Sequence, residues 1–228
     1  MNDTVDIPRR RFAPLLLAAA ALLAGRAHAD DATPGRTIAT QGTATGVAAC
    51  IGCHGSHGEG NAAAGFPRLA GIHAAYLSAQ LAAFADGSRQ SPVMQPLSKQ
   101  LSPRERDAVS AYFASLPAPA GVPTPDGASI DPANTGAWLA TRGRWSQGLP
   151  ACAQCHGPGG LGVGAAFPPL AGQPAAYLAG QLHGWKHGLR PPGPMALMPM
   201  IAGKLSDADI DAVAAYYARG GAAQGDKR

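Results

Sequence analysis

The sequence predicts an all-α protein of two similar domains in tandem, and three observations predict it. Blocks of residues recur at a nearly constant offset, helix-start signals and helical spacing recur inside each copy, and no stretch shows the alternation a half-buried strand needs. Cys50-Ile51-Gly52-Cys53-His54 returns as Cys152-Ala153-Gln154-Cys155-His156, 102 residues on. Phe66-Pro67-Arg68-Leu69-Ala70-Gly71 returns as Phe167-Pro168-Pro169-Leu170-Ala171-Gly172, 101 residues on. Tyr76-Leu77, Gln80-Leu81, Gly87 and Arg89 keep that second offset and reappear as Tyr177-Leu178, Gln181-Leu182, Gly188 and Arg190. The offset then grows to 104, so the second copy carries three extra residues before Met198.

Each element follows from local chemistry. Residues before Cys50 are rich in Gly and Thr and offer no clear helix, whereas Thr135–Trp145 offers one to the second copy. A helix is expected from about His73 to Phe84, with Gly87 near its C-terminal end. Its partner is expected from Pro174 to Trp185, with Gly188 in that place. Ser102-Pro103-Arg104-Glu105 is a capping box with Pro at the first helical position, and Val109, Tyr112, Phe113 and Leu116 follow at helical spacing. Ser206-Asp207-Ala208-Asp209 opens the matching helix, whose apolar side is Ile210, Val213, Ala214 and Tyr217. The stretch 117–132 is rich in Pro, Gly and Ala and reads as a linker between a first domain, 30–116, and a second, 133–228.

All four cysteines of the chain sit in the two Cys-x-x-Cys-His motifs. Two thiols three residues apart on one helical turn can each add to a vinyl group of one haem, and the next residue, His, then faces the iron. The pattern therefore assigns two covalently attached haem c groups, through Cys50, Cys53 and His54 and through Cys152, Cys155 and His156. A zinc site or a redox dithiol is the alternative, and either must account for a His directly after each pair. Copies of about 80–100 residues rich in Ala and Gly have little apolar surface to bury, so a large apolar disc at the centre also answers a folding need.

A sixth ligand completes each iron. Met94 is the only methionine of the first copy and stands eight residues before Ser102; Met198 stands eight before Ser206. A thioether ligand favours reduced iron and suits electron transfer. Met195 and Met200 lie close enough to compete with Met198, and any of these methionines could instead fill a core. His57, His73, His183 and His187 read as surface residues or neighbours of haem carboxylates rather than ligands. Pro67 and Pro168 follow the motif histidines by 13 and 12 residues; either is a plain turn proline or one whose carbonyl receives the imidazole N–H.

The N-terminus reads as an export signal. Arg9, Arg10 and Arg11 precede the apolar run Leu15–Leu23 and then Ala27-His28-Ala29, and the run is too short to span a bilayer. Cleavage is expected near Ala29, residues 1–29 being removed and the product delivered to the periplasm. The formal charge of +4 includes that segment; 18 basic residues less four and 14 acidic less two leave 14 and 12. Four haem propionates would turn the remaining +2 into about −2. With no Lys/Arg-rich run, nucleic acid is excluded as a partner.

The paired CxxCH, FPxLAG, YLxxQL, GxR, Met and LS pattern resembles the dihaem cytochrome c4 family, from about Gly46 onwards. The resemblance implies two tandem class I cytochrome c domains, each wrapped around its haem, with His and downstream Met as axial ligands. It implies propionates facing one another between the domains, near Tyr76, Gln80, Arg89, Tyr177, Gln181 and Arg190. It also implies an electron carrier, soluble or loosely membrane-associated, whose partners are redox proteins such as a respiratory oxidase, a reductase or a dehydrogenase. The competing functions are a dihaem enzyme, a peroxidase or a thiosulfate dehydrogenase, and the haem subunit of a larger dehydrogenase. Those enzymes need an open iron.

Overall fold

The computed structural model describes residues 29–123 and 130–220. The expected leader, Ala29 apart, lies outside the described residues, as do positions 124–129 of the expected linker. The first copy contributes α1 (Ala29–Gln41), α2 (Ile51–His54), α3 (Ala74–Asp86), α4 (Met94–Gln100) and α5 (Pro103–Ser115). The second contributes α6 (Thr135–Thr141), α7 (Ala153–His156), α8 (Ala175–Lys186), α9 (Leu197–Gly203) and α10 (Asp207–Ala218). Among the described residues there is no sheet, only isolated antiparallel bridges that pin loops. No described helix is long and apolar enough to cross a membrane.

The helix ends follow the capping chemistry. Ser102 accepts from the Glu105 N–H while the Glu105 carboxylate accepts from the Ser102 N–H, and Ser206 and Asp209 do the same for α10. Gly87, in the left-handed region at φ 84°, closes α3 by donating to the Phe84 carbonyl. Helix α6 is shorter than expected: it stops at Thr141, Gly143 turns the chain at φ 71°, and Trp145 opens a separate 3₁₀ turn, Trp145–Gln147.

One expectation is corrected. The Gly- and Thr-rich stretch before Cys50 does hold a helix, α1, with Pro34 inside it. Its propensity is poor, and packing against α5 supplies what propensity does not. Gly35 is what lets the two backbones meet, since a Cβ there would lie 2.0 Å from the Ala108 carbonyl oxygen. Gly136 does the same for α6 against α10, 2.3 Å from the Ala212 oxygen. In each half the N-terminal helix, the long helix (α3 or α8) and the last helix (α5 or α10) gather the apolar residues. Ile38, Leu77, Val109 and Phe113 are buried in the first, and Leu139, Leu178, Ile210, Val213 and Tyr217 in the second.

Candidate functional site: two CxxCH turns and the seam between the halves

Each CxxCH motif forms a single helical turn, α2 or α7, ending in a buried His. His54 Nδ1 lies 2.8 Å from the Pro67 carbonyl oxygen, and His156 Nδ1 lies 2.8 Å from that of Pro168. A carbonyl only accepts, so the proton sits on Nδ1 and the Nε2 lone pair is left for a metal. Burial also lowers the affinity of both rings for a second proton, which keeps them in the neutral, ligating form. The imidazoles are steadied by Phe66 and Phe167, with ring centroids 6.2 and 6.1 Å away. The two prolines are therefore acceptors for the imidazole N–H.

The four cysteines are free. Burial pushes the Cys50 thiol up to about 11 and the Cys152 thiol up to about 12. Thiols held protonated in apolar surroundings are poorly suited to redox exchange or zinc binding, both of which need thiolate. Among the described residues no three of His, Cys, Asp and Glu converge as a metal cluster.

In the first half the structure brings Cys50, Cys53, His54 and Met94 together on one cavity of about 420 Å³. Leu77, Leu81, Phe84, Leu97 and Phe113 complete much of its apolar wall. In the second half Met198 lies on α9, which packs against α8, and is half-buried; Met195 and Met200 are 77% and 54% exposed. His57, His73 and His187 are exposed, and His183 and His187 stack on each other at the surface end of α8.

The first cavity runs into the second domain, because Tyr177, Gln181 and Arg190 line it as well. Here the repeat folds back on itself. The Arg89 guanidinium donates to Gln80 Oε1 at 2.8 Å in its own half, then to Gln181 Oε1 at 2.6 Å and Tyr177 Oη at 3.1 Å across the seam. Arg190 returns the contact, donating to Gln80 Oε1 at 3.0 Å. Each guanidinium lies over an aromatic ring, Arg89 over Phe84 at 4.4 Å and Arg190 over Trp185 at 3.9 Å. Arg68, 4% exposed, is a third cation on the same cavity. None of the three forms an ion pair with a carboxylate among the described residues. Buried cations with only neutral partners are costly, so the pocket calls for a ligand that brings its own negative charge.

That requirement tests the fit of a haem. Two thiols and an imidazole on one turn, a thioether on the same cavity, apolar walls and cations at the inner edge match a flat macrocycle with vinyl groups and two carboxylates. The residues fit the group. Sequence reasoning placed the thiols, the histidines and the Arg, Gln and Tyr of the seam. It missed Arg68 and Gln173, whose signal was a departure from the repeat: Pro169 and Ile72 stand at the matching positions.

Comparisons with known proteins agree. Residues 32–117 match the family model described as cytochrome c, and residues 137–216 the model described as cytochrome c oxidase, cbb3-type, subunit III. The chain is 49% identical over 209 residues to the thiosulfate dehydrogenase electron acceptor of Stutzerimonas stutzeri (strain A1501), covering 91% of this chain and 94% of that one. It is 38% identical over 197 residues to the cytochrome c4 of Pseudomonas aeruginosa, covering 85% and 91%. It superposes on the thiosulfate dehydrogenase TsdBA of Marichromatium purpuratum with a TM-score of 0.75 at 47% identity, covering 82% of this chain but only 40% of that one.

Proposed function

The chain belongs to the dihaem cytochrome c4-like family, and from that premise we propose that it is a periplasmic carrier taking electrons from a thiosulfate-oxidising dehydrogenase. It hands them to a respiratory oxidase, a reductase or a further cytochrome. As a member of that family it carries two covalent haem c groups, one per cytochrome c domain. Bound haem c supplies a one-electron iron couple. The protein's part is to hold each iron's surroundings constant while its charge changes.

In this reading Cys50, Cys53, Cys152 and Cys155 would form the thioether links, and His54 and His156 would each offer an imidazole to an iron. Their protons stay on Nδ1, donated to the Pro67 and Pro168 carbonyls. Met94 and Met198 would each supply a thioether to complete an iron. The exposure of Met195 and Met200 favours Met198 among the three methionines of its loop. Arg89 and Arg190, fixed by Gln80, Gln181 and Tyr177, hold the carboxylate edge of each cofactor at the seam.

The observation that carries the proposal is the first cavity itself, bounded by ligand residues at one end and by the other domain at the other. Such a pocket has an inner end for exchange within the molecule, and a thioether where an enzyme needs a vacancy. Likeness to the thiosulfate dehydrogenase electron acceptor of Stutzerimonas stutzeri and to part of TsdBA supports this donor. That second likeness also favours the rival reading, in which the chain itself oxidises thiosulfate.

One experiment separates them. Thiosulfate with a catalytic amount of a thiosulfate dehydrogenase is expected to reduce both haems, and a membrane oxidase to reoxidise them. Thiosulfate or peroxide with the chain and a dye acceptor is expected to give negligible turnover. Steady turnover by the chain alone, on the order of 1–10³ per second, makes it an enzyme.

A further inference from the structure

The two halves are fastened to each other unequally at the backbone that holds the proximal histidines. Gln173, 3% exposed in the second domain, makes two hydrogen bonds to the main chain of Arg68. Its Oε1 accepts from the Arg68 N–H and its Nε2 donates to the Arg68 carbonyl, both at 3.0 Å. Arg68 follows Pro67, whose carbonyl receives the His54 N–H. The Arg68 guanidinium then crosses the seam, donating to Ala70 O in its own half and to Ala171 O of the second domain at 3.0 Å.

The reciprocal clasp cannot form. The residue after Pro168 is Pro169, which has no N–H to give, and the residue facing it from the first domain is Ile72, which has no amide. No charge stands at Pro169 either. The first pocket thus has a buried cation, locked by the second domain, with no counterpart at the matching position of the second half. Burial pulls the Arg68 guanidinium down to about 10, so it is charged at neutral pH.

We infer that Arg68, held by Gln173 and Ala171, raises the reduction potential of the first-domain haem, and that the second domain strengthens this influence by fixing the guanidinium in place. A fixed positive charge in a pocket of low polarity stabilises the form carrying the extra electron, so Arg68 raises the potential of the haem beside it. The effect falls on one haem because the repeat supplies no second copy of the device. The pair is therefore biased, by Arg68 alone, toward placing a shared electron in the first domain.

This inference rests on both haems being bound, and the test reads that separately. The holoprotein is titrated potentiometrically, with haem-methyl NMR assigning each wave through contacts to Leu81 in the first half and Leu182 in the second. Two electrons per chain are expected in the native protein, separated by the haem-methyl shifts into two one-electron steps; uptake of a single electron per chain would overturn the two-haem reading itself. Arg68→Met is expected to shift the equilibrium for electron sharing about tenfold away from the first haem, equivalent to about 59 mV for one electron. The second haem should barely move. Arg68→Lys should keep most of the native separation. Gln173→Ile, which leaves the charge and removes the clasp, should shift the first haem in the same direction by less. Two intact waves that do not move in Arg68→Met, or that move together, would overturn this inference and leave the carrier function standing.

Discussion

The two halves of this molecule are alike where a haem makes demands and unlike where the chain makes its own arrangements. The CxxCH turn, the proline carbonyl at 2.8 Å from the imidazole, the close glycine and the capping box recur almost atom for atom. The loops before the methionines do not. In the first half Ser91 Oγ accepts from the Met94 N–H and α4 starts at once. In the second, three extra residues lengthen the approach, and Met195 and Ala196 are forced to φ 54° and 51°. Side chains in that region cost of order 1–2 kcal/mol per residue. A loop that accepts this strain is being shaped by something other than local preference, and it leads into the half-buried Met198.

The sharpest way to break this picture is at the methionines. Met94→Ala and Met198→Ala are each expected to remove about half of the long-wavelength iron–thioether band and to open one iron to carbon monoxide. Met195→Ala and Met200→Ala should leave both band and reactivity intact. If Met195→Ala or Met200→Ala instead abolished half the band while Met198→Ala did not, the two loops would have different registers, and the likeness of the halves would stop short of the iron.

A smaller effect should separate the two capped helices. Arg144, where the first half has Thr43, grips Asp209 with two hydrogen bonds of 2.8 and 2.6 Å. That grip, with help from Ser206, holds the Asp209 carboxyl down at about 2. A depressed folded pKa gives stability that is present above the ordinary value of 3.8 and lost as pH falls through about 2. Arg144 is 31% exposed, so the pair is worth about 1–2 kcal/mol rather than the value of a fully buried one. Asp209→Asn should therefore lower the second domain's melting temperature at pH 7 and make little difference near pH 2. The mutation should have the same cost at both pH values if the pair contributes nothing.

The smallest expected difference is between the caps. Ser102→Ala and Ser206→Ala should each cost about 1 kcal/mol in chemical denaturation, since each removes one acceptor from a helix N-terminus. A cost at Ser206 clearly above that at Ser102 would show that the Arg144–Asp209 pair depends on the cap beside it.

Much of this was legible in the sequence because the repeat and the covalent chemistry are both local. Two residues between thiols, a His after them and a Ser-x-x-acid start can be read without knowing what lies across the molecule. The failure at α1 has a physical cause: Pro34, Gly35 and the threonines are poor helix formers, and the helix exists through its contact with α5. Even so, Gly35, Ile38, Ala39 and Thr40 match Gly136, Leu139, Ala140 and Thr141 at the same offset of 101. Extending the repeat upstream of the thiols would have found it. Arg68 and Gln173 show in the sequence only as breaks in the repeat, and their pairing was illegible for the opposite reason. Their partners are 105 residues apart, and only the folded seam brings them together.

The hydrogen-bonded seam has a consequence for kinetics. Arg89, Gln181, Arg190 and Gln80 join parts of one chain, so the meeting of the halves is a first-order event with an effective concentration fixed by the fold. Encounters with donor and acceptor are second-order and slow as the protein is diluted. Exchange between the halves does not. At low abundance a carrier built in this way would wait on its partners rather than on transfer between its halves, and loading with two electrons rather than one would let each scarce encounter carry more.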